Sequence, residues 1–390
     1  MRRPTRLKLA LLTVLTAGTM LLAGAPAGSA AISSDSGVHT WLFDGANTAV
    51  DTSAEAVAVA QRNDVIVGVA RYAQYLSAMK SAHPGIIIAE YHKGTTVKED
   101  YPWVAANHPD WLLRGSNGQV LKSSWGGYLI NPQLTGVRQW EAAYAQQQQA
   151  AGWTGVYMDS MGSMAFYGFP STPINPQTKK PFTMSEWLQA TTGLASYVDN
   201  AVSIPVIDNG LNSGTRYFAN MSPLGSVGQG GVFEECFRDA TDGVGAWPSL
   251  TDWQNQIKAI QDVQSKGKIA LCLTKLWVSA TAAQQSQWRN FAVSSYLLAK
   301  GSSADFMFMG SKSQTALSTA NTGFPALGTP TSALKQTGSL WVRYFQNGAV
   351  VVNPTGSAAS TSLGASYKDS GGRAVTSATV GGHTGAIFTK

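Results

Sequence analysis

Eight short runs of β-branched and aromatic residues alternate with longer segments of helical period, and this alternation restricts the fold more than any other feature. In chain order the runs are "HTWLFDG" from His39, "DVIVGV" from Asp64, "GIIIAEYH" from Gly85, "GVYMDSM" from Gly155, "SIPVIDNG" from Ser203, "GVFEECF" from Gly231, "KIALCLTKLW" from Lys268 and "ADFMFMG" from Ala304. Most follow one another at about the 30 residues that a strand-helix-strand unit occupies. Eight such units close into a barrel, so we predict an α/β fold, a (β/α)8 TIM barrel.

Two long stretches interrupt this regular spacing. Residues 101–133, between the third and fourth runs, contain the turn signals Ser-Asn-Gly and Gly-Gly and predict a hairpin-like insertion. Residues 162–182 form a second long loop after the fourth run. Because the loops that follow barrel strands cover one face, we expect both to wall a cleft there.

The pattern changes after Gly310. The run "LWVRYFQNGAVVVNPT" alternates apolar and polar residues around Asn347-Gly348, which is a strong hairpin signal. We therefore predict a catalytic barrel over residues 31–334 and a small C-terminal antiparallel β-sandwich over residues 335–390.

The first 30 residues predict export. Positive residues (Arg2, Arg3, Arg6 and Lys8) precede an apolar stretch and the small-residue segment "AGSAA", as in a secretory signal peptide cut near Ala30. The alternative, a membrane anchor, would be an apolar stretch of about 20 residues without a cleavage site. We expect a secreted, extracellular protein that has no membrane association after cleavage.

Charge and cysteine content narrow the partners. The net charge of +6 includes the leader's four positive residues, so the mature chain is nearly neutral. No basic tract is interleaved with aromatic residues, which argues against nucleic acid. Only 13% of residues are charged, a composition that suits neutral partners. Cys236 and Cys272 both lie in strand-like runs, and we expect buried thiols, with a disulfide as the alternative that export permits.

Carboxylates stand at or just after the ends of several predicted strands. They are Asp44, Glu90, Asp159, Asp208, Glu234 and Glu235. A closed barrel gathers these ends at one face, where barrel enzymes carry their active sites. Two carboxylates on one cavity can cleave a glycosidic bond, because one protonates the leaving oxygen while the other attacks the sugar carbon or activates water. Each also has a structural interpretation: an aspartate can cap the next helix, and Glu90 can pair with Lys275.

Asp159 and a glutamate of the sixth strand are the predicted catalytic residues, since the fourth and sixth strands lie two apart around the barrel. Side chains alternate along a strand, so Glu234 and Glu235 cannot both point inward. The residue pattern alone does not decide which of the two does.

Aromatic residues cluster near the same strand ends and in the insertion, where flat rings can stack on sugars. They are Trp41, Tyr91, Trp103, Trp111, Trp125, Tyr157, Trp247 and Trp277, each of which can equally be a core residue. The predicted substrate-binding residues are Trp41, Asp44, Glu90, Tyr91, His92, Trp125, Asp208, Asn209, Lys275 and Trp277. The five histidines show no metal-ligand spacing, and the chain has no GxSxG motif or P-loop, so we predict no metal and no cofactor.

An ordered set of motifs resembles a known family. The motifs are "HPDWLLRGSNGQVL", "INPQLTGVRQW", "AAGWTGVYMDSM", "FEECF" and "WVRYFQNGAVVVNPT". Together they resemble the hypothetical glycoside hydrolase-like TIM-barrel proteins, related to endo-polygalactosaminidase-type and α-galactosidase-type barrels. The resemblance implies a (β/α)8 barrel with Asp159 as nucleophile and Glu235, shortly before Phe237, as acid/base.

We therefore expect a secreted, monomeric glycoside hydrolase that cleaves O-glycosidic bonds of a polysaccharide or oligosaccharide with retention of configuration. One alternative is a catalytically silent barrel that binds carbohydrate. Another is an unrelated hydrolase or lyase on the same scaffold, because a fold does not fix a reaction.

Overall fold

The computed structural model describes residues 38–44, 50–162, 166 and 168–390. The predicted leader, residues 1–30, lies outside the described residues. None of the helices within these ranges has both the length and the apolar character that a membrane crossing requires.

Eight parallel strands form the predicted barrel, and two further short strands lie between the third and fourth of them. In chain order they are β1 (Trp41–Asp44), β2 (Val65–Gly68), β3 (Ile87–Lys93), β4 (Thr96–Val97), β5 (Tyr128–Leu129), β6 (Gly155–Asp159), β7 (Val206–Asn209), β8 (Gly230–Phe233), β9 (Ile269–Lys275) and β10 (Ala304–Met309). The order around the barrel is β1-β2-β3-β6-β7-β8-β9-β10. Each of the eight predicted runs holds one barrel strand, so the (β/α)8 prediction is confirmed.

The barrel closes between its first and last strands. A parallel bridge joins Thr40 to Phe306, and the Phe306 amide donates to the His39 carbonyl at 2.9 Å. By comparison, β9 and β10 pair along their whole length, from Ala270 with Ala304 to Lys275 with Met309. The closing seam is therefore the least paired junction of the barrel among the described residues.

Helices cover the outside of the barrel. They are α1 (Ser53–Ala60), α2 (Leu76–Ala82), α3 (Tyr101–Asn107), α4 (Thr135–Ala150), α5 (Met184–Asp199), α6 (Gly214–Arg216), α7 (Leu250–Ser265) and α8 (Ala282–Ala299). Thr52, Thr183 and Thr281 begin α1, α5 and α8 with reciprocal side-chain and backbone hydrogen bonds. These capping boxes satisfy amide groups that a helix start leaves unpaired.

Alternation along the strands separates two apolar layers. Tyr157, Ile207 and Val232 point into the barrel and belong to one buried cluster. Their neighbours Val206 and Phe233 face the helices in another. A residue two positions beyond an inward residue also points inward, so the strand ends present alternate side chains to the mouth.

The insertion and the C-terminal segment are antiparallel. Within the insertion, antiparallel bridges join Arg114 to Val120 and Lys122 to Tyr128 across the two predicted turns, as the hairpin-like prediction expects, and β5 pairs with β4, which precedes the insertion. The last strands are β11 (Lys335–Thr337), β12 (Leu340–Phe345), β13 (Gly348–Asn353), β14 (Ala359–Lys368), β15 (Ala374–Val380) and β16 (Thr384–Thr389). They form one six-stranded sheet in the order β11-β12-β13-β16-β14-β15, with the predicted Asn-Gly turn between β12 and β13.

The C-terminal sheet packs on α8. Gly385 of β16 lies so close to Ser294 that a Cβ at position 385 would be 2.3 Å from the serine Cβ. The Arg343 guanidinium donates to the carbonyls of Leu297, Leu298 and Lys300, at the end of this helix. The small antiparallel β domain is thus attached to the barrel mainly through α8, with a further contact between Trp341 and Trp253 of α7.

The expectation of buried free thiols is wrong. Cys236 and Cys272 form a disulfide with a Cα–Cα distance of 5.4 Å, and both are fully buried. After β8 the chain stays beside β9, where the Cys236 amide donates to the Leu273 carbonyl at 3.1 Å. The bridge fixes the segment that follows β8 to the neighbouring strand.

Candidate active site

Asp159 and Glu234 meet at the barrel mouth through one amide group. The Nδ2 of Asn209 donates to Asp159 Oδ1 at 2.8 Å and to Glu234 Oε2 at 2.9 Å. The three residues lie at the ends of β6 and β7 and directly after β8. Each is two positions beyond an inward core residue, so the strand pattern itself directs them into the mouth.

Asp159 is held by three donors. Besides Asn209, the Tyr91 hydroxyl donates to Oδ2, and the Ser160 amide donates to Oδ1 at 2.8 Å. Ser160 has a φ of 65°, an uncommon conformation for a residue other than glycine. Burial, followed by the charge of Glu234, raises the pKa of Asp159, although the three hydrogen bonds oppose this shift.

Glu234 has a cationic partner. Burial acts to raise the pKa of Glu234, but the Lys275 ammonium, 2.7 Å from Oε1, and the hydrogen bond from Asn209 hold that pKa below its ordinary value. Lys275 also lies 4.4 Å from the ring centroid of Trp277. The Glu234 side chain is 35% exposed, so it is open to solvent and to a ligand.

The pKa values of the two carboxyl groups are therefore shifted in opposite directions. Glu234 is the ionised member, and Asp159 is the member that more readily holds a proton. Such a difference in pKa between two neighbouring carboxyl groups is what separate acid/base and nucleophilic roles require.

Aromatic rings line the mouth beside the carboxylates. Tyr91 stacks on Tyr157 with centroids 5.6 Å apart, and Phe43 contacts both rings. The Trp277 indole donates to the Met309 sulfur at 3.2 Å. Phe43 is not among the residues predicted for the site, although it is the inward residue of β1 nearest the mouth and alternation could have identified it.

Trp125 lies apart from this group, on the insertion. Its side chain is exposed, and its ring covers Gly168, where an added Cβ would be 2.2 Å from the indole. The Ser124 amide donates to the Gly168 carbonyl at 2.8 Å. The insertion and the long loop after β6 therefore contact each other, as expected for two loops on one face.

Glu235 points away from Asp159. Its carboxylate pairs with Arg216 at 2.7 Å and lines a cavity of about 390 Å³ together with Asp239 and Trp247. Burial, followed by the charge of Asp239, raises the pKa of Glu235 to about 7, against the opposing charge of Arg216. Of the two adjacent glutamates it is Glu234 that the structure brings to Asp159, so the preference for Glu235 is corrected.

Four other predicted substrate-binding residues face outward from the barrel. Asp44 accepts a hydrogen bond from the Tyr72 hydroxyl at 2.8 Å. Glu90 and His92 face α4, where His92 lies 2.6 Å from Glu141. Asp208 is fully buried, and neither of its oxygens has a hydrogen-bond partner among the described residues.

Trp41 lies inside the barrel below the mouth. It is fully buried, and its indole donates to the Cys272 carbonyl at 3.1 Å. No face of Trp41 is open to a sugar. We therefore remove Trp41 and the four outward residues from the candidate site, which retains Tyr91, Asn209, Lys275 and Trp277 beside the carboxylates, with Trp125 at its periphery.

A (β/α)8 barrel with a close pair of carboxylates at the ends of its strands is an arrangement that glycoside hydrolases use. The chain belongs to hypothetical glycosyl hydrolase family 15, whose model matches residues 70–349. It is therefore a glycoside hydrolase by family, with a carbohydrate as substrate. No curated protein matches the sequence.

Solved structures are similar to this chain at low sequence identity, and the first two share its fold. Amy13B of Eubacterium rectale is 9% identical with a TM-score of 0.57, over 92% of this chain and 97% of that one. Trehalose-6-phosphate hydrolase of Bacillus licheniformis is 8% identical with a TM-score of 0.54, over 90% and 99%. The glycoside hydrolase domain of PelA from Pseudomonas aeruginosa is 13% identical with a TM-score of 0.45, over 70% and 95%.

Proposed function

We propose that this protein is a secreted enzyme that cleaves O-glycosidic bonds of a polysaccharide or oligosaccharide with retention of configuration, using Asp159 and Glu234. The observation that carries the proposal is the Asn209 amide that bonds both carboxylates. Both hydrogen bonds start from the Asn209 nitrogen. Asp159 Oδ1 and Glu234 Oε2 are therefore no farther apart than the sum of the two hydrogen-bond lengths. This limit lies below the separation of about 6.5 to 9.5 Å that inversion uses to admit a water molecule.

Glu234 is the nucleophile in this proposal. Its ion pair with Lys275 keeps it ionised, and its exposed side chain can reach the sugar carbon. Asp159 protonates the leaving oxygen and then takes a proton from the water that releases the product. This assignment reverses the role that the family resemblance implies for Asp159 and replaces Glu235 as its partner.

The rings beside the carboxylates supply the sugar platform. Tyr91, Phe43 and Trp277 are partly exposed around the mouth, and such rings can stack on a sugar while their polar edges remain wet. Lys275 and Asn209 can donate hydrogen bonds to sugar hydroxyls as well as to Glu234.

A panel of purified glycans tests the activity. We expect the full-length mature protein to release new reducing ends from at least one glycan, measured by a reducing-sugar assay and by mass spectrometry of the products. Binding of glycans without cleavage across the panel would instead support the silent carbohydrate-binding barrel and contradict our proposal.

Azide rescue of two alanine variants separates the roles of the carboxylates. Without the nucleophile, azide attacks the substrate directly and gives a glycosyl azide of inverted configuration. Without the acid/base residue, azide attacks the glycosyl-enzyme and gives a retained product. We expect Glu234→Ala to give the inverted azide and Asp159→Ala the retained one, as read by proton NMR. The opposite pair of products would contradict the assignment.

The pH profile tests the ion pair. Replacing Lys275 by Met removes the positive charge that lowers the pKa of Glu234, so that pKa rises and the enzyme loses its ionised nucleophile at a higher pH. The acid limb of kcat/KM should therefore move to higher pH. Lys312→Met is the matched control, since Lys312 also lies over Trp277, at 5.4 Å, without an ion pair to Glu234 in the described structure. An unmoved acid limb in Lys275→Met would contradict the role of the pair.

A further inference from the structure

A second group of ionisable side chains lies at the opposite end of the barrel from the active site. His39 precedes β1, Asp64 precedes β2, and Asp305 is near the start of β10. One nitrogen or oxygen ligand atom from each of the three lies within 4.8 Å of the others. His83, which ends α2, lies beside them, with Nε2 3.6 Å from Asp64 Oδ1. No two of these four residues are close in sequence, so their spacing along the chain does not indicate that they form a group.

Asp305 lacks the partners that a buried carboxylate needs. It is fully buried, and neither of its oxygens has a hydrogen-bond partner among the described residues. Burial and the neighbouring charge of Asp64 raise its pKa well above the usual range, while Lys300 opposes the shift. A carboxylate in this position must take up either a proton or a cation.

The orientation of His83 favours a metal cation. Its Nδ1 lies 2.9 Å from the Ala60 carbonyl, which can only accept, so the hydrogen is on Nδ1. Its Nε2 is directed at Asp64 Oδ1, 3.6 Å away, which is longer than a normal hydrogen bond. A histidine that donates one nitrogen to a carbonyl and offers the other to an ion is the usual arrangement at metal sites.

The distances also fit a metal. Ligands about 2.0–2.2 Å from a tetrahedral Zn²⁺ lie roughly 3.4 Å from one another, close to the 3.6 Å between His83 and Asp64. The ligand atoms of His39, Asp64 and Asp305 already lie within 4.8 Å of one another, whereas His83 lies outside this group and its ring would have to shift toward the ion. His39 and Asp64 are hydrogen-bonded to each other in the structure, and a metal would replace that bond.

We propose that His39, Asp64, His83 and Asp305 bind one divalent transition-metal ion, for which Zn²⁺ is the best match. Two imidazoles and two carboxylates provide the four nitrogen and oxygen ligands of a closed structural site, with no position left for substrate. The ion would join His39, at the first strand, to Asp305 of the last strand. It would therefore hold the seam that Thr40 and Phe306 otherwise close with a single bridge.

Metal content and thermal stability test the proposal. The full mature chain, stripped with EDTA and dialysed, should bind one equivalent of Zn²⁺ by titration calorimetry, and added Zn²⁺ should raise its Tm. Co²⁺ in place of Zn²⁺ should give the visible absorption of a tetrahedral complex. Failure of the wild-type protein to bind Zn²⁺ or Co²⁺, or an octahedral spectrum, would overturn the proposal.

Two variants locate the site. Asp305→Asn keeps the shape of the side chain and removes the need for a cation, so the protein should fold while its Zn²⁺ affinity falls by at least about 100-fold. Asp51→Asn is the matched control, since Asp51 forms an exposed ion pair with Arg71 elsewhere on the surface, and it should bind Zn²⁺ like the wild type. Equal Zn²⁺ affinity in Asp305→Asn and the wild type would overturn the assignment.

Discussion

Replacing Asp159 by Asn, or Glu234 by Gln, is expected to lower kcat/KM by about 10³-fold or more, whereas Glu235→Gln retains most of the activity. The reason is the geometry at Asn209, which brings Asp159 and Glu234 to one amide, while Glu235 is paired with Arg216. The three variants change one atom each and preserve shape. Steady-state kinetics on the glycan that the panel identifies measures the effect.

The double variant Asp159→Asn with Glu234→Gln provides an internal check. Two residues that act in one reaction are not additive, so the double variant should lose little more than the worse single variant. Circular dichroism of each variant controls for folding. Loss of activity in Glu235→Gln equal to that in Glu234→Gln would return Glu235 to the catalytic pair and contradict the geometry.

Removal of the disulfide is expected to lower the free energy of unfolding by about 3 to 4 kcal/mol, from the loop-closure entropy of a bridge between residues 36 apart. Both cysteines are fully buried, so the paired variant Cys236→Ser with Cys272→Ser also places two hydroxyls in an apolar layer. Urea unfolding of the variant and the wild type, with equal slopes, measures the difference.

The same variant tests how Glu234 is positioned. Cys236 lies two residues beyond Glu234, so the bridge restrains the segment that carries this carboxylate. We expect kcat to fall in the variant even at low temperature, where the protein is folded, with a smaller change in KM. Reduction of the wild type by dithiothreitol is the matched control.

For the stability prediction, unfolding free energies of the variant and the wild type that agree within error would show that the bridge is not a stabilising element.

Most of the fold followed from the sequence because periodicity reports which side chains are buried. The eight strand runs, the insertion and the Asn347-Gly348 turn were each readable from local patterns. The same alternation also distinguishes the site residues from their neighbours. Asn209 lies two residues beyond the inward Ile207, and Glu234 lies two residues beyond the inward Val232. Asp208 and Glu235 are one residue out of phase with these inward positions.

The remaining features depend on contacts between distant segments. The bridge between Cys236 and Cys272 required the segment after β8 to stay beside β9, and no local pattern records that path. His39 and Asp305 stand at opposite ends of the barrel sequence and become neighbours only when the barrel closes. Trp41 matched the expected position of a sugar platform, but its place one layer below the mouth depends on strand register.

Trapping the reaction intermediate tests the central claim most directly. A 2-fluoro derivative of the accepted sugar, with a good leaving group, should inactivate the wild-type enzyme and add one sugar mass. Peptide mapping by mass spectrometry should locate that sugar on Glu234. An adduct on Glu235, or rapid turnover of the natural substrate with an inverted product and no adduct, would contradict a retaining mechanism run by Asp159 and Glu234.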